Sequence, residues 1–251
     1  MISFTKRKIT MEFVYCINSI VVLRVDHISD LGVTFTSQFS FKEHIFAICN
    51  KARRRWGFIR RTCGFLNVHV LKILYISLVR LLLEYASPVW SPHYNCDVEY
   101  LERVQNHFLR HMEFKLGRIH VVGEYSSILM SLNLQPLDSR RVVSDLCFLY
   151  KLLKNEIDSK ILRDKIEFFT PNKSIITRST PLFVIPFKRT NYGYHSPVQR
   201  MLRAANASTR LSWFELSLET FKNRLIRQLS RNLSFLLYFW LFLGYATRLY
   251  V

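Results

Sequence analysis

The stretch SFKEHIFAICNKARRRWGFIRR, residues 40–61, decides how the rest of the chain is read. Phe41, Ile45, Ile48, Cys49, Ala52, Trp56 and Ile59 recur at steps of three and four, the period of a helix that buries one stripe. Ser40, followed three residues later by Glu43, has the form of a capping box and predicts the helix start there. Outside that stripe lie Lys51, Arg53, Arg54, Arg55, Arg60 and Arg61, with no acidic residue among them. Such a helix docks on a core and still presents cations outward. Trp56 belongs to the apolar stripe and reads as core, whereas Phe58 sits among the arginines, where an aromatic ring can stack on a base.

Working outward, the whole chain shares this basic character. It has 251 residues, 36 Lys and Arg against 18 Asp and Glu, and a formal net charge of +18. An excess of that size raises self-repulsion and favours a polyanionic partner, with nucleic acid first and an anionic membrane surface second. A hydrophobic content of 49% supports a sizeable core in one or two domains. Long periodic stretches between short polar breaks predict a mainly helical chain.

Before the opening stretch, residues 11–36 alternate as strands do. Phe13–Ile17 and Ile20–Val25 flank Asn18-Ser19, a hairpin turn weaker than Asn-Gly because Ser resists positive φ. Leu31–Phe35 completes an expected three-stranded antiparallel piece, with Asp26 and Asp30 as turn and cap residues.

Downstream, Gly64 ends the first helix and Asn67 starts the next. That second helix runs through VLKILYISLVRLLLEYA to Pro88 and is apolar enough to predict burial on most faces. Asp97 and Glu99 open a third, with Leu101, Val104, Phe108 and Met112 inward and Gly117 at its end. A short helix covers Ser126–Leu132. Another begins at Asp138, with Val142, Leu146, Leu149, Tyr150 and Leu153 on its inner face. Residues 170–197, punctuated by Pro171, Pro181, Pro186 and Pro197, read as loop with short strands. A last amphipathic helix spans Ser217–Ser230, with Leu218, Phe221, Leu225 and Leu229 inward and Arg224, Arg227 and Arg231 outward. Residues 234–246 are largely apolar but fall short of the ~20 needed to span a bilayer.

Catalytic chemistry finds little support. Nucleotidyl transfer with two metals needs carboxylates near enough to share cations about 4 Å apart, and no two acidic residues are adjacent in the chain. His107 and His111 stand one helical turn apart with Cys96 upstream, but HFLRH lacks the glutamate of a zinc protease motif and reads as exposed helix surface. Cys16, Cys49, Cys63, Cys96 and Cys147 are odd in number and form no CxxC pair, so they read mostly as small buried hydrophobes in a reducing compartment. MISFTKRK lacks the charged-then-apolar order of a signal peptide.

Three blocks resemble one family. RVDHISDLGVTFTSQFSFKEHI (24–45), LKILYISLVRLLLEYASPVWSPHYNCDVEYLERVQNHFLR (71–110) and SLNLQPLDSRRVVSDLCFLYKLLKNEID (131–158) are similar to the C-terminal part of non-LTR retrotransposon reverse transcriptases of the jockey-like group. LEYASPVWSP, LERVQNHFLR and TFKNRL are the most specific phrases, and the resemblance fades after Asn232.

That resemblance implies a particular architecture: residues 1–36 as the end of a polymerase palm, 37–117 as a helical thumb, 118–231 as a helical C-terminal region, and 232–251 outside the pattern. It implies a primer-grip-like strand at Leu31, Gly32 and Val33. The thumb helix would meet a template–primer duplex of RNA and DNA through Lys51, Arg53, Arg54, Arg55, Arg60 and Arg61. Relatives of this kind use magnesium on adjacent palm aspartates; this chain has no such pair, so it is expected to carry no cofactor and not to polymerise alone. The resemblance also implies an intracellular location, nuclear or cytoplasmic. The alternatives are a basic helical module on an anionic membrane or protein partner, and a decayed reading frame without function.

Overall fold

A computed structural model describes residues 2–4, 13–119, 121, 123–170, 181–208 and 213–229. The expected apolar tail at 232–251 lies outside them. The fold is mainly α, with two small antiparallel sheets ahead of the helices.

Those sheets are separate hairpins and not the three-stranded piece expected from alternation. In the first, β1 (Cys16–Ile17) pairs with β2 (Ile20–Val21) through Asn18 and Ser19. Both turn residues take positive φ, 47° and 64°, so Ser19 accepts the conformation that two-residue hairpin turns require. In the second, β3 (His27–Asp30) pairs with β4 (Val33–Thr36). Leu31 and Gly32, with φ of 45° and 79°, are its turn. Of the primer-grip-like trio only Val33 is therefore in a strand. Leu31 stands 83% exposed at the tip and Val33 is buried. Glycine suits the second turn position because a Cβ is strained at that φ.

The second hairpin is fastened to the helices at both ends. The Tyr85 hydroxyl donates to the Leu31 carbonyl at 3.0 Å. Thr36 Oγ1 accepts from the Ser40 N–H at 3.0 Å and donates to the Ser40 carbonyl at 2.9 Å. That pair of bonds occupies the backbone group a capping box would use. Helix α1 accordingly runs Lys42–Cys63 with Phe41 at its N-cap position and no side-chain cap, and Ser40 lies outside it.

His44, on the first turn of α1, is buried and accepts a hydrogen bond at Nδ1 from the Thr34 N–H at 3.3 Å. Its ring also meets Trp90 edge-on, with centroids 5.3 Å apart. Burial pushes the His44 pKa below the usual imidazole value. A depressed folded pKa means that the neutral ring contributes stability above the unfolded pKa, about 6.5, and that this contribution is lost as pH falls below it. Thermal unfolding is thus expected to occur at lower temperature at pH 5.5 than at pH 7.5. His44→Gln should reduce that pH difference, and an unchanged difference would remove His44 as its source.

The second apolar segment is one continuous rod of three parts: α2 (Val68–Leu74), a π-helical turn (Tyr75–Arg80) and α3 (Leu81–Glu84). Burial on most faces does not occur. Leu71, Tyr75, Val79 and Leu83 are buried at constant steps of four, while Ile73, Leu78, Leu81 and Tyr85 are exposed. In a regular α-helix, steps of four drift around the axis. The wider π turn absorbs the extra residue and keeps the row on one face. Asn67 caps the rod as expected, its side chain accepting from the Val70 N–H at 2.9 Å.

Ala86, at φ 51°, turns the chain into the single-turn helix α4 (Ser87–Trp90). Trp90 is buried there and donates Nε1–H to the Tyr85 carbonyl at 2.8 Å. Helix α5 (Asn95–Lys115) follows, and Gly117 at φ 65° closes it with Arg118 N–H returning to the Glu113 carbonyl. Helix α6 (Ser126–Ser131) then sends Ile128 into the same core, and Leu132, Leu134 and Leu137 follow it. The first compact unit therefore extends to Leu137.

At the centre of that core, Tyr75 and Phe108 stack with centroids 3.9 Å apart and an interplanar angle of 9°. Trp56, 1% exposed, meets Phe108 edge-on at 5.1 Å. The Tyr75 hydroxyl donates to Gln105 Oε1 at 3.2 Å, and Gln105 Nε2 donates to the Gln135 carbonyl at 3.0 Å. These bonds engage Tyr75 and Gln105, whereas Trp56 Nε1 in the same layer is buried without a hydrogen-bond partner.

The second unit begins at Asp138. Helix α7 (Leu137–Leu153) supplies Val143, Leu146, Leu149 and Tyr150 to its core. A short helix α8 (Lys160–Arg163) and an antiparallel bridge, Phe168 to Phe183, follow. Helices α9 (Asn191–Tyr194) and α10 (Pro197–Ala207) come next. Reading 170–197 as loop missed α9 at its end, and α10 follows directly; its start is marked by Pro197 at the first helical position after Ser196. Met201, Leu202 and Ala205 join the core from α10, and Phe221 and Leu225 join from α11, residues 218–229. Arg224 and Arg227 of α11 are exposed, as expected. Asp145 and Arg200 form a bidentate pair at 2.7 and 3.2 Å, with Asp145 buried. Burial pushes the Asp145 pKa up, and the Arg200 hydrogen bond opposes that shift.

Candidate nucleic-acid interface

The six cations of α1 are spaced so that the helix sorts them into three rows. Positions seven apart lie nearly one above the other, so Arg53 falls with Arg60 and Arg54 with Arg61. Lys51 and Arg55, four apart, make the third row. The buried stripe His44, Ile45, Cys49, Ala52, Trp56 and Ile59 holds the opposite side of the helix against the core.

The rows are not equivalent. Arg54 and Arg61 point straight away from the core and are exposed, as are Lys51, Arg55 and Arg60; Arg53 is half-buried. Arg53 Nη1 donates to the Tyr100 hydroxyl at 2.7 Å, and its guanidinium lies 4.4 Å from the Tyr100 ring centre. Arg55 Nη1 donates to the Leu78 carbonyl in the π turn at 3.1 Å. Two members of the run thus serve as fasteners between helices. Lys51, Arg54, Arg60 and Arg61 carry no such contact to a neighbouring element in the hydrogen bonds of this face.

Phe58 lies one turn from Arg54, Arg55 and Arg61 and is 61% exposed. Trp56 is core, as its place on the apolar stripe implies. The outward surface of α1 therefore combines fixed positive charge with one accessible ring, the chemistry that follows a phosphate backbone and stacks on a base without reading sequence.

Helix α5 extends the same surface, which the local run of arginines did not reveal. It runs parallel to α1: Cys49 Sγ approaches the Tyr100 carbonyl at 3.9 Å, Trp56 meets Phe108 and then His111 at 5.6 Å, and Lys115 Nζ donates to the Gly64 carbonyl at 2.6 Å. Lys115 also donates to the Leu66 carbonyl. A cation at the last carbonyls of α1 caps that helix end and complements its dipole. His107 is exposed and His111 half-buried. Burial lowers both pKa values first, and nearby cations lower them further: Arg60, Arg110 and Arg53 for His107, and Arg60, Lys115 and His107 for His111. The Arg53–Arg60 row and the histidine row of α5 share one edge.

Among the described residues, no three His, Cys, Asp or Glu side chains lie together as a metal set, and Cys96 does not join the two histidines. Asp26 and Asp30 stand at opposite ends of the second hairpin, Asp26 at its open end and Asp30 beside the turn, paired to Val33. This residue set does not fit a magnesium pair. The cysteines are free: Cys49 is fully buried, Cys63 and Cys147 are half-buried and packed against the two cores, in keeping with small hydrophobes, and Cys16 and Cys96 are exposed. Among the described residues no helix is long and apolar enough to cross a membrane. No family model, curated protein or solved structure matches the chain.

Proposed function

We propose that this chain holds nucleic acid, as the thumb-like and C-terminal part of a non-LTR reverse transcriptase. In this reading α1 lies along a template–primer duplex of RNA and DNA, with Lys51, Arg54, Arg60 and Arg61 on its phosphates and Phe58 against the strand. The observation that carries the reading is the outward row of α1, which is fully cationic, exposed and spaced by two helical turns. A charge of +18 supplies the long-range attraction that such contacts complete. Arginine suits the task because its guanidinium meets phosphate bidentately. The chain lacks the paired carboxylates of a two-metal centre, so its part in the reaction is to grip and position.

Fluorescence anisotropy with a labelled RNA–DNA hybrid, measured against salt, tests this. The expected result is an affinity that falls linearly on a log–log plot with a slope of several units, each neutralised phosphate contributing about 0.9 or less. A flat salt dependence, no binding, or preferential binding to phosphatidylserine vesicles would overturn it.

A further inference from the structure

The edge shared by α1 and α5 holds one exposed histidine between fixed cations. His107 stands one helical turn before His111, whose ring lies 5.6 Å from Trp56 of α1, and three residues before Arg110; across the helix pair the charges of Arg60 and Arg53 act on it. Arg103, one turn before it, is engaged by Glu99 at 3.5 Å. Among the described residues, the charged groups that act on His107 are the arginines Arg60, Arg110 and Arg53. Its neighbour His111 is packed against Trp56, and its Nε2 is buried without a hydrogen-bond partner. His111 is thus held in the interior side of the edge, and His107 is the member that faces outward.

Resting on the nucleic-acid reading above, we infer that His107 is a further phosphate-binding residue of the site and that the chain takes up a proton there when it binds a duplex. In the free chain, burial first and surrounding positive charge second favour the neutral imidazole. A phosphate laid across Arg60 and Arg110 cancels that field and accepts a hydrogen bond from the imidazolium, which reverses the preference. The pKa of His107 is then higher in the complex than in the free chain. Affinity must rise as pH falls through the window between the two values and level off outside it, by about tenfold for each unit that separates them.

The test is the affinity for the RNA–DNA hybrid between pH 8 and pH 5.5 at one ionic strength, in the wild-type chain and in His107→Gln, His107→Arg and His69→Gln. Wild type is expected to tighten by about tenfold across the range. His107→Gln should lose most of that gain, and His107→Arg should bind tightly at both ends with little slope. His69→Gln, on an exposed position of α2, should keep the wild-type slope. His44 is present in all four proteins, so a slope lost only in the His107 variants is assigned to position 107 and the His111 it faces. Equal slopes in wild type and His107→Gln would overturn the inference while leaving a salt-dependent interaction intact. Absence of duplex binding at every pH would overturn the nucleic-acid reading as well.

Discussion

Replacing Lys51, Arg54, Arg60 and Arg61 together by alanine is expected to weaken binding of an RNA–DNA hybrid by about a thousandfold at 0.1 M salt. The four side chains are the exposed members of the run that make no fastening contact to α5 or the π turn. Each lost phosphate contact removes up to about 0.9 from the log–log salt slope, so the slope should flatten by about three to four units. The change should be uniform across duplex sequences, because phosphate contacts position a protein without reading bases. Replacing Arg54, Arg60 and Arg61 by lysine keeps the charge and should preserve most of the slope while losing bidentate geometry. An unchanged slope in the alanine variant would move the interface off α1. Arg53 and Arg55 are left out for a physical reason. Arg53 holds Tyr100 and Arg55 holds the Leu78 carbonyl, so removing either loosens helix packing and confuses a binding loss with a folding loss.

Trp56→Ala is expected to cost the first unit about 3–5 kcal/mol, the range for truncating a large buried aromatic. Trp56 is 1% exposed and touches Phe108, Tyr75 and His111 at once, so the vacated volume sits at the centre of the core with rigid rings around it. Domains are stable by only about 5–15 kcal/mol, so the loss is a large share of the total. Urea unfolding followed by far-UV circular dichroism should show a markedly lower midpoint. A shift smaller than about 1 kcal/mol would mean that the Trp56–Phe108–Tyr75 layer is not the core of this unit. Duplex binding should fall along with stability, since α1 owes its position to this layer. The exposed Phe58→Ala, by contrast, should leave the midpoint nearly unchanged.

How far the fold could be read in advance differed from element to element. Where burial was one-sided and the period regular, as in α1, α5 and α7, residue spacing was sufficient. In the second rod it was not. Its composition pointed to burial all round, but a π turn aligned Leu71, Tyr75, Val79 and Leu83 and left the other apolar residues facing out. The capping box and the second hairpin turn failed for a related reason. Ser40 has the right neighbour in Glu43, yet its backbone is claimed by Thr36, a partner set by the hairpin and not by the helix. The trio Leu31, Gly32 and Val33 alternates like a strand, but two positive φ angles make its first two residues a turn. In α10 the signal was present in Ser196-Pro197 and was masked by the proline-rich stretch before it.

The sequence by itself determined that this protein is mainly helical, strongly basic, and built around an α1 with an apolar stripe and a cationic face. Those properties follow from residue type and period, which no tertiary contact can alter. Only the tertiary structure decided which cations remain available. Arg53 and Arg55 were drawn into contacts with Tyr100 and the π turn, while α5 brought His107, Arg110 and Lys115 alongside Arg60. A run of like charges specifies a field, but its division into fasteners and binders depends on where aromatic rings and unpaired carbonyls from distant segments come to rest.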